Sequence, residues 1–368
     1  MTQRVALVSP YALSVFGGVQ EQVLAMSREL GRRDVEVLVV APDERDRAVY
    51  ETPATLVRVG RRLSLPANGS RAPLTLSPRA SRVARRALRD FGPDVVHYHE
   101  PFAPLLGWSA LRAHEYPSVA TFHRHGDGPA LSLTRPLLRS LARGIDLSAA
   151  VSDAAAATIA RAVGFAPTVL FNGFETERFT RTPRVRDAEV VLVYVGRLEE
   201  RKGVTVAIDA VRSHNDRGAA QWRLVVIGDG PERHRLEALA GHDDHILFEG
   251  ALADDAKRAW LRRANVLLAP SLRGESFGLT LLEAMASETS VVASDIEGYR
   301  EAAGAHATLF RAGDPTDLER AVGDALANES PQRIALARAH AQGWSMARLV
   351  DAYFDLYAHA ASVFQRAR

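Results

Sequence analysis

The chain has 368 residues, 47% hydrophobic and 24% charged, with a formal net charge of +2. That length exceeds one ordinary core and predicts two domains, and the composition is that of a globular rather than a disordered protein. The lack of cysteine excludes disulfides, thiolate zinc sites and cysteine nucleophiles; the near-neutral balance means that an acidic partner must be met by local clusters of charge, and nucleic acid is not an expected partner.

No run approaches the ~18–20 apolar residues that span a bilayer. At the N-terminus, Pro10 interrupts the apolar run Val5–Val8, which reads as a first strand and turn rather than a signal peptide. Valine-rich runs then alternate with longer helical patterns. They are Val35–Val40, Val95–His97, Val119–Phe122, Leu147–Val151 and Thr168–Phe171, then Val190–Val195, Leu224–Ile227, Ile246–Phe248, Val266–Ala269, Val291–Ala293 and Thr308–Phe310. Such runs suit parallel strands covered on both faces, with crossover helices between them. The prediction is α/β: two doubly wound, Rossmann-like domains facing across a cleft, 1–171 and 188–349, joined by a polar hinge at 172–187. A final helical stretch, about 350–368, crosses back onto the first domain. Ligands in such folds bind beyond the carboxyl ends of the strands, so the informative residues should follow the strands.

After the first strand comes Gly17-Gly18-Val19-Gln20, a glycine pair opening a helix. It suits either a phosphate approaching helix N–H groups or a plain tight turn. The pattern is not Gly-x-Gly-x-x-Gly, which argues against a dinucleotide enzyme. Over Ser77–Phe91 a helical wheel places Arg79, Arg82, Arg86 and Arg89 in one stripe with Arg85 beside it. Ala80, Val83, Ala84, Ala87 and Phe91 lie opposite. Such a helix can rest on anionic lipid or simply face water. His97 and His99 precede His123, which ends the strand-like Thr121-Phe122. His123 could bond a sugar hydroxyl or move a proton, whereas His97 and His99 read as structural. With no helical His-x-x-x-His pair and no thiolate, a metal site is not expected.

Only two of the 46 basic residues are lysines, Lys202 and Lys257. Lys202 follows Gly196-Arg197 after a strand, and the two cations can converge on one anion. Asp254 and Lys257 follow another strand and suit a base pocket or a helix N-cap. Gly274-Glu275-Ser276-Phe277-Gly278 leads into a helix carrying Glu283. Carboxylates accept paired hydrogen bonds from vicinal diols, and the intervening helix start offers N–H groups to a diphosphate. An ordinary acidic first turn would look the same.

With these residues in place, the chain resembles the retaining glycosyltransferases of family 4, which have the GT-B fold, over nearly its whole length. The most specific match is Glu275 and Glu283 joined to Gly196-Arg197 and Lys202. Gly17–Gln20, Asn68-Gly69-Ser70, His99-Glu100-Pro101, Ala120–His123 and Val291–Asp295 extend it, most strongly toward members that mannosylate phosphatidylinositol. The resemblance implies GDP-mannose as donor substrate, with no cofactor or metal. Arg197 and Lys202 would hold the diphosphate with the backbone of Gly17 and Gly18. Glu275 would bind the transferred sugar beside Ser276, Phe277, Gly278 and Leu279, and Glu283 the ribose. Leu252, Asp254 and Lys257 would surround the guanine. His123, Arg197, Lys202 and Glu275 would be catalytic. Gln20, Asn68, Ser70, Arg71, His123 and Arg124 would meet the lipid acceptor. Arg79, Arg82, Arg85, Arg86 and Arg89 would meet anionic phospholipid on the cytoplasmic face of the membrane. The departures lie on the acceptor side: Ala67 where the relatives have tyrosine, Phe102 where they have asparagine, and Arg124-His125-Gly126-Asp127-Gly128 in place of a Thr/Ser-rich stretch with a lysine. Arg124 and Arg71 could supply replacement charge.

Overall fold

The computed structural model describes residues 2–14, 17–42, 52–60, 63–67, 70–74, 77–123, 129–179, 189–218, 221–275 and 277–368. The chain forms two compact units, Met1–Phe174 with Met346–Arg368, and Glu175–Ser345.

In the first unit, strands β1 (Arg4–Val8), β2 (Glu36–Ala41) and β3 (Thr55–Arg58) precede a separate antiparallel pair, β4 (Leu63–Ala67) and β5 (Ser70–Leu74). Strands β6 (Val95–His99), β7 (Ser118–Phe122), β8 (Leu147–Ala150) and β9 (Thr168–Val169) follow. The parallel sheet runs β3-β2-β1-β6-β7-β8-β9. Alternation along β1 shows why the sheet is buried on both faces. Val5 and Leu7 face an apolar cluster that includes Val23, Met26 and Leu30 of α1 (Gly18–Arg32). Ala6 and Val8 face a second cluster with Ala80, Ala84 and Leu88 of α2 (Pro78–Phe91). Helices α3 (Trp108–Ala113), α4 (Pro129–Ala142) and α5 (Asp153–Val163) complete the crossovers. Ser152 caps α5 by accepting a hydrogen bond from the Ala155 N–H, and Gly164 in the left-handed region ends it.

The second unit has β10 (Val190–Val195), β11 (Trp222–Ile227), β12 (Ile246–Gly250), β13 (Val266–Ala269), β14 (Ser290–Ser294) and β15 (Thr308–Phe310). Its sheet runs β12-β11-β10-β13-β14-β15. Helices α6 (Val204–Asp216), α7 (Arg233–Ala240), α8 (Asp254–Arg263), α9 (Leu279–Ala286), α10 (Glu297–Ala303), α11 (Pro315–Ala327) and α12 (Pro331–Gln342) alternate with the strands or follow them. In each sheet the strand order reverses beside the first strand, between β1 and β6 and between β10 and β13, which is where doubly wound folds bind ligands.

The last helix, α13 (Met346–Arg366), belongs to the first unit and packs on α1 and on β6, β7 and β8. Met346, Leu349, Val350, Tyr353, Tyr357, Ala360 and Phe364 give it one buried stripe at helical spacing. The Met346 N–H donates to the Phe174 carbonyl, which fixes where the helix enters the unit.

Three features differ from the sequence expectations. Strand β3 is a four-residue edge element with half-exposed side chains, too short to show a period. The β4–β5 pair carries Pro66 and Pro73, which mask a strand pattern and suit an edge. In α2, Val83 is 48% exposed and stands among the arginines; the buried stripe is Ala80, Ala84 and Leu88 at spacing of four.

Candidate active site

In the second unit the loops after β10 and β13 touch. Gly203 has a positive φ, and a Cβ there would lie 2.0 Å from the Pro270 carbonyl oxygen, so only glycine lets the two loops close together. Arg197 leaves the end of β10, its carbonyl accepting from the buried Tyr194 hydroxyl at 2.9 Å. A short 3-10 turn, Glu200–Lys202, then aims Arg201 and Lys202 toward the β13 loop.

Glu275 is the focus. Its Oε1 lies 2.6 Å from Lys202 Nζ and 3.1 Å from Arg201 Nη1, and accepts from Ser271 Oγ at 3.0 Å. Arg201 also donates to the Gly274 carbonyl at 3.1 Å and pairs through Nε with Glu199 Oε2 at 2.9 Å. The other oxygen of Glu199 takes Arg197 Nε at 3.2 Å. Ser271 Oγ meets the Tyr299 hydroxyl at 2.8 Å, and burial pushes that phenol well up, so it stays a neutral hydrogen-bonding group. Arg197, Glu199, Arg201, Lys202 and Glu275 are thus one network of alternating charge. An entering anion can claim the two flanking cations without leaving a carboxylate unpaired, because Arg201 and Ser271 still hold Glu275.

A second cluster forms around α8 and α9. Lys257 Nζ lies 3.1 Å from Glu283 Oε1 and 3.5 Å from Asp254 Oδ1. Burial alone would raise the Asp254 carboxyl, but the charges of Lys257, Arg178 and Arg258 hold it below its ordinary range. Leu252 lies half-buried just before α8. Gly278 and Leu279 form the start of α9. Phe277 is buried with its ring centroid 4.7 Å from that of Trp344, so it offers the site backbone rather than its ring.

In the first unit β6 and β7 bring three histidines together. His97 and His99 share one face of β6 and stack at 4.4 Å, and the His123 ring meets the edge of His99, its centroid 5.4 Å away. His97 Nδ1 is 2.8 Å from the Tyr357 hydroxyl and its Nε2 2.7 Å from Thr121 Oγ1, which in turn is 2.7 Å from the Tyr353 hydroxyl. Both tyrosines come from α13. His99 Nδ1 lies 3.1 Å from His123 Nε2, and the His123 N–H donates to the Glu100 carboxylate at 2.5 Å. Burial pulls His97 down to about 3 and His123 to about 4, and His99 well below its ordinary value, so all three are neutral at pH 7.

Gln20, in the first turn of α1, is buried and donates to the Ala12 carbonyl at 3.4 Å; a Cβ at Gly17 would meet its side-chain oxygen at 2.5 Å. Gly18 begins α1. Ser70 and Arg71 pair in β5 with Ala67 and Pro66. Asn68, Arg124 and Ser276 lie outside the described residues.

On α2, Arg85 and Arg89 both grip Glu115, at 2.7 and 2.5 Å, and their hydrogen bonds, that of Arg89 foremost, pull its carboxyl down to about 2. Arg86 lies 3.6 Å from Asp90. Arg79 and Arg82 are exposed and have no ion-pair partner among the described residues.

Sequence reasoning missed Glu199, Arg201, Ser271 and Tyr299. Glu199 and Arg201 stood inside the Gly196–Lys202 motif, but spacing alone does not show which cation turns onto Glu275. Among the described residues, no group of three or more histidine, aspartate or glutamate side chains is placed to hold a metal ion, and no helix is long and apolar enough to cross a membrane.

Two doubly wound α/β units, one with cations and carboxylates gathered at its switch point, form a fold that binds ligands at that point, and the converging cations suit an anionic one. Comparison with known proteins narrows this. The family described as "Glycosyltransferase Family 4" matches residues 16–178 and "Glycosyl transferases group 1" matches 189–328. The chain is 36% identical to the phosphatidyl-myo-inositol mannosyltransferase of Mycobacterium leprae, over 89% of this chain and 88% of that protein. It is 31% identical to a GDP-mannose-dependent alpha-mannosyltransferase of Mycolicibacterium smegmatis, over 81% of each. A glycosyltransferase structure from Rickettsia africae, 14% identical, superposes over 98% of both chains with a TM-score of 0.77 and shows the shared fold. The chain belongs to family 4 of the glycosyltransferases, with the two-domain make-up of the GT-B fold, and is a hexosyltransferase.

Proposed function

We propose that the protein transfers mannose from GDP-mannose, with retention and without a metal, to the inositol of a phosphatidylinositol-type lipid at the cytoplasmic face of the membrane. The observation that carries this reading is the network on Glu275: one carboxylate oxygen held by Lys202, Arg201 and Ser271, with Arg197 beside them. Arg197 and Lys202 would take the diphosphate and stabilise the charge it gains as it leaves, which is the task a metal performs elsewhere. Glu275 Oε2, which makes no hydrogen bond to the described residues, would accept from hydroxyls of the transferred hexose. Glu283, fixed by Lys257, would accept from the ribose diol. Asp254 would accept from the adjacent N–H groups of guanine, an edge that uracil lacks. In the transfer the bond from mannose C1 to the diphosphate oxygen breaks and a bond from C1 to the acceptor oxygen forms on the same face. The acceptor proton passes to the departing phosphate, giving GDP and the mannosylated lipid. Support for donor and acceptor comes from the relatives named for these activities.

One observation favours a second reading, the same chemistry on another acceptor. Phe102 packs its ring 5.1 Å from that of Phe122, among apolar neighbours, at a position where a polar acceptor contact would stand in the phosphatidylinositol reading. Incubation with radiolabelled GDP-mannose and a total lipid extract, with UDP-glucose and UDP-N-acetylglucosamine in parallel, tests both. Label in a mannosylated phosphatidylinositol is the expected product. Label in another lipid moves the acceptor, and turnover of the UDP-sugars in preference overturns the guanine assignment.

A further inference from the structure

The hydrogen bond between His99 and His123 limits how His123 can act. His99 Nδ1 and His123 Nε2 lie 3.1 Å apart, so one nitrogen must carry the proton and the other the lone pair. The opposite nitrogen of His99, Nε2, is buried and has no hydrogen-bond partner among the described residues. A buried bare acceptor is tolerated better than a buried N–H with nothing to bond. His99 therefore keeps its proton on Nδ1, where it is shared with His123, and leaves Nε2 bare. His123 Nε2 is then the acceptor, and the single proton of a neutral His123 sits on Nδ1, which makes no hydrogen bond to the described residues. Backbone and neighbours hold the pair in place. The His123 backbone N–H is tied to Glu100, and the His99 ring has His97 stacked on its face and His123 bonded at its edge. His97 is itself fixed by Thr121 and Tyr357.

We propose that His99 is a positioning residue that fixes the His123 tautomer, so that His123 presents Nδ1–H as a hydrogen-bond donor to an oxygen of the transferred sugar and has no lone pair free to act as a base. The sugar contact rests on the mannosyltransferase reading; the tautomer rests on the first unit alone.

Two-bond proton–nitrogen correlation spectra of the full-length protein, labelled with nitrogen-15 in histidine, test this at pH 7 without any ligand. His99→Leu and His123→Gln supply the assignments. Both His99 and His123 should show a protonated Nδ1 and a bare Nε2. A His123 protonated on Nε2, averaging between tautomers, or present as imidazolium overturns the proposal from the wild-type spectrum alone, whatever the variants do. In kinetics, His99→Leu should release the His123 tautomer and lower kcat by roughly tenfold or more, with little change in KM for the sugar nucleotide. His99→Asn, whose amide can donate from near the Nδ1 position, should recover most of the loss. Equal losses in Leu and Asn variants that fold, with an unchanged His123 spectrum, overturn the positioning role. If the wild type transferred no mannose but showed the expected spectrum, the functional reading would fail and the tautomer assignment would stand.

Discussion

At the end of β10 and β13, ion pairs run from Glu199 through Arg201 and Glu275 to Lys202, whereas at the end of β6 and β7 three imidazoles bond hydroxyls or one another. The two units solve opposite problems with the same topology. The second keeps its charges partly exposed and cross-paired, so that under the proposed reading an incoming diphosphate would replace carboxylate partners at small electrostatic cost. The first removes charge by burial, and its histidines work as fixed hydrogen-bonding groups. On the proposed reading the charged cluster would receive the anion and the neutral one would orient hydroxyl groups.

The largest effects should come from breaking the charged network. Lys202→Ala or Arg197→Ala should lower transfer by roughly 100-fold or more, because each removes stabilisation of the leaving diphosphate. Circular dichroism should show the fold intact, and near-wild-type turnover in either variant would contradict the diphosphate role. Arg201→Ala sharpens the comparison. Arg201 holds Glu275, Glu199 and the Gly274 carbonyl, and because it would act through Glu275 its loss should lower kcat by about tenfold while GDP affinity changes less than in Lys202→Ala. Equal losses of GDP affinity in both variants would make Arg201 a phosphate ligand instead.

The neutral cluster should reveal itself in stability against pH. His97 has a folded value of about 3 against 6.5 unfolded, so between those values the unfolded chain binds more protons. Its stabilisation is complete above about pH 6.5 and is lost as pH falls toward the folded value, with a slope of about 1.4 kcal/mol per pH unit. Urea midpoints should fall from pH 7 to pH 4, and less steeply in His97→Gln. Parallel profiles would mean that His97 is not held neutral.

The smallest effect concerns α2. Because Glu115 already compensates Arg85 and Arg89, Arg79→Gln with Arg82→Gln should weaken binding to anionic vesicles by ~1 kcal/mol per residue at low salt. Arg85→Gln with Arg89→Gln should do less. Unchanged sedimentation in the first pair would remove α2 from the membrane reading.

The strands of both sheets were legible because burial on two faces demands unbroken runs such as Val190–Val195 and Val266–Ala269. Edge elements escaped: β3 is too short, and the prolines of β4 and β5 break the pattern. Val83 was misplaced because helical spacing alone does not say where the buried stripe ends. In the candidate site, the gathering of Glu275, Lys202 and Arg197 could be expected because they follow strands. Arg201, Ser271 and Tyr299 could not be, because their roles depend on two loops brought together at Gly203 and Pro270, far apart in sequence.

The most direct measurement is a crystal structure with GDP-mannose bound. The diphosphate should lie on Arg197 and Lys202, with Lys202 drawn off Glu275 and the free Glu275 oxygen on mannose hydroxyls. A diphosphate bound away from Arg197 and Lys202, with the Lys202–Glu275 ion pair left intact, would contradict it.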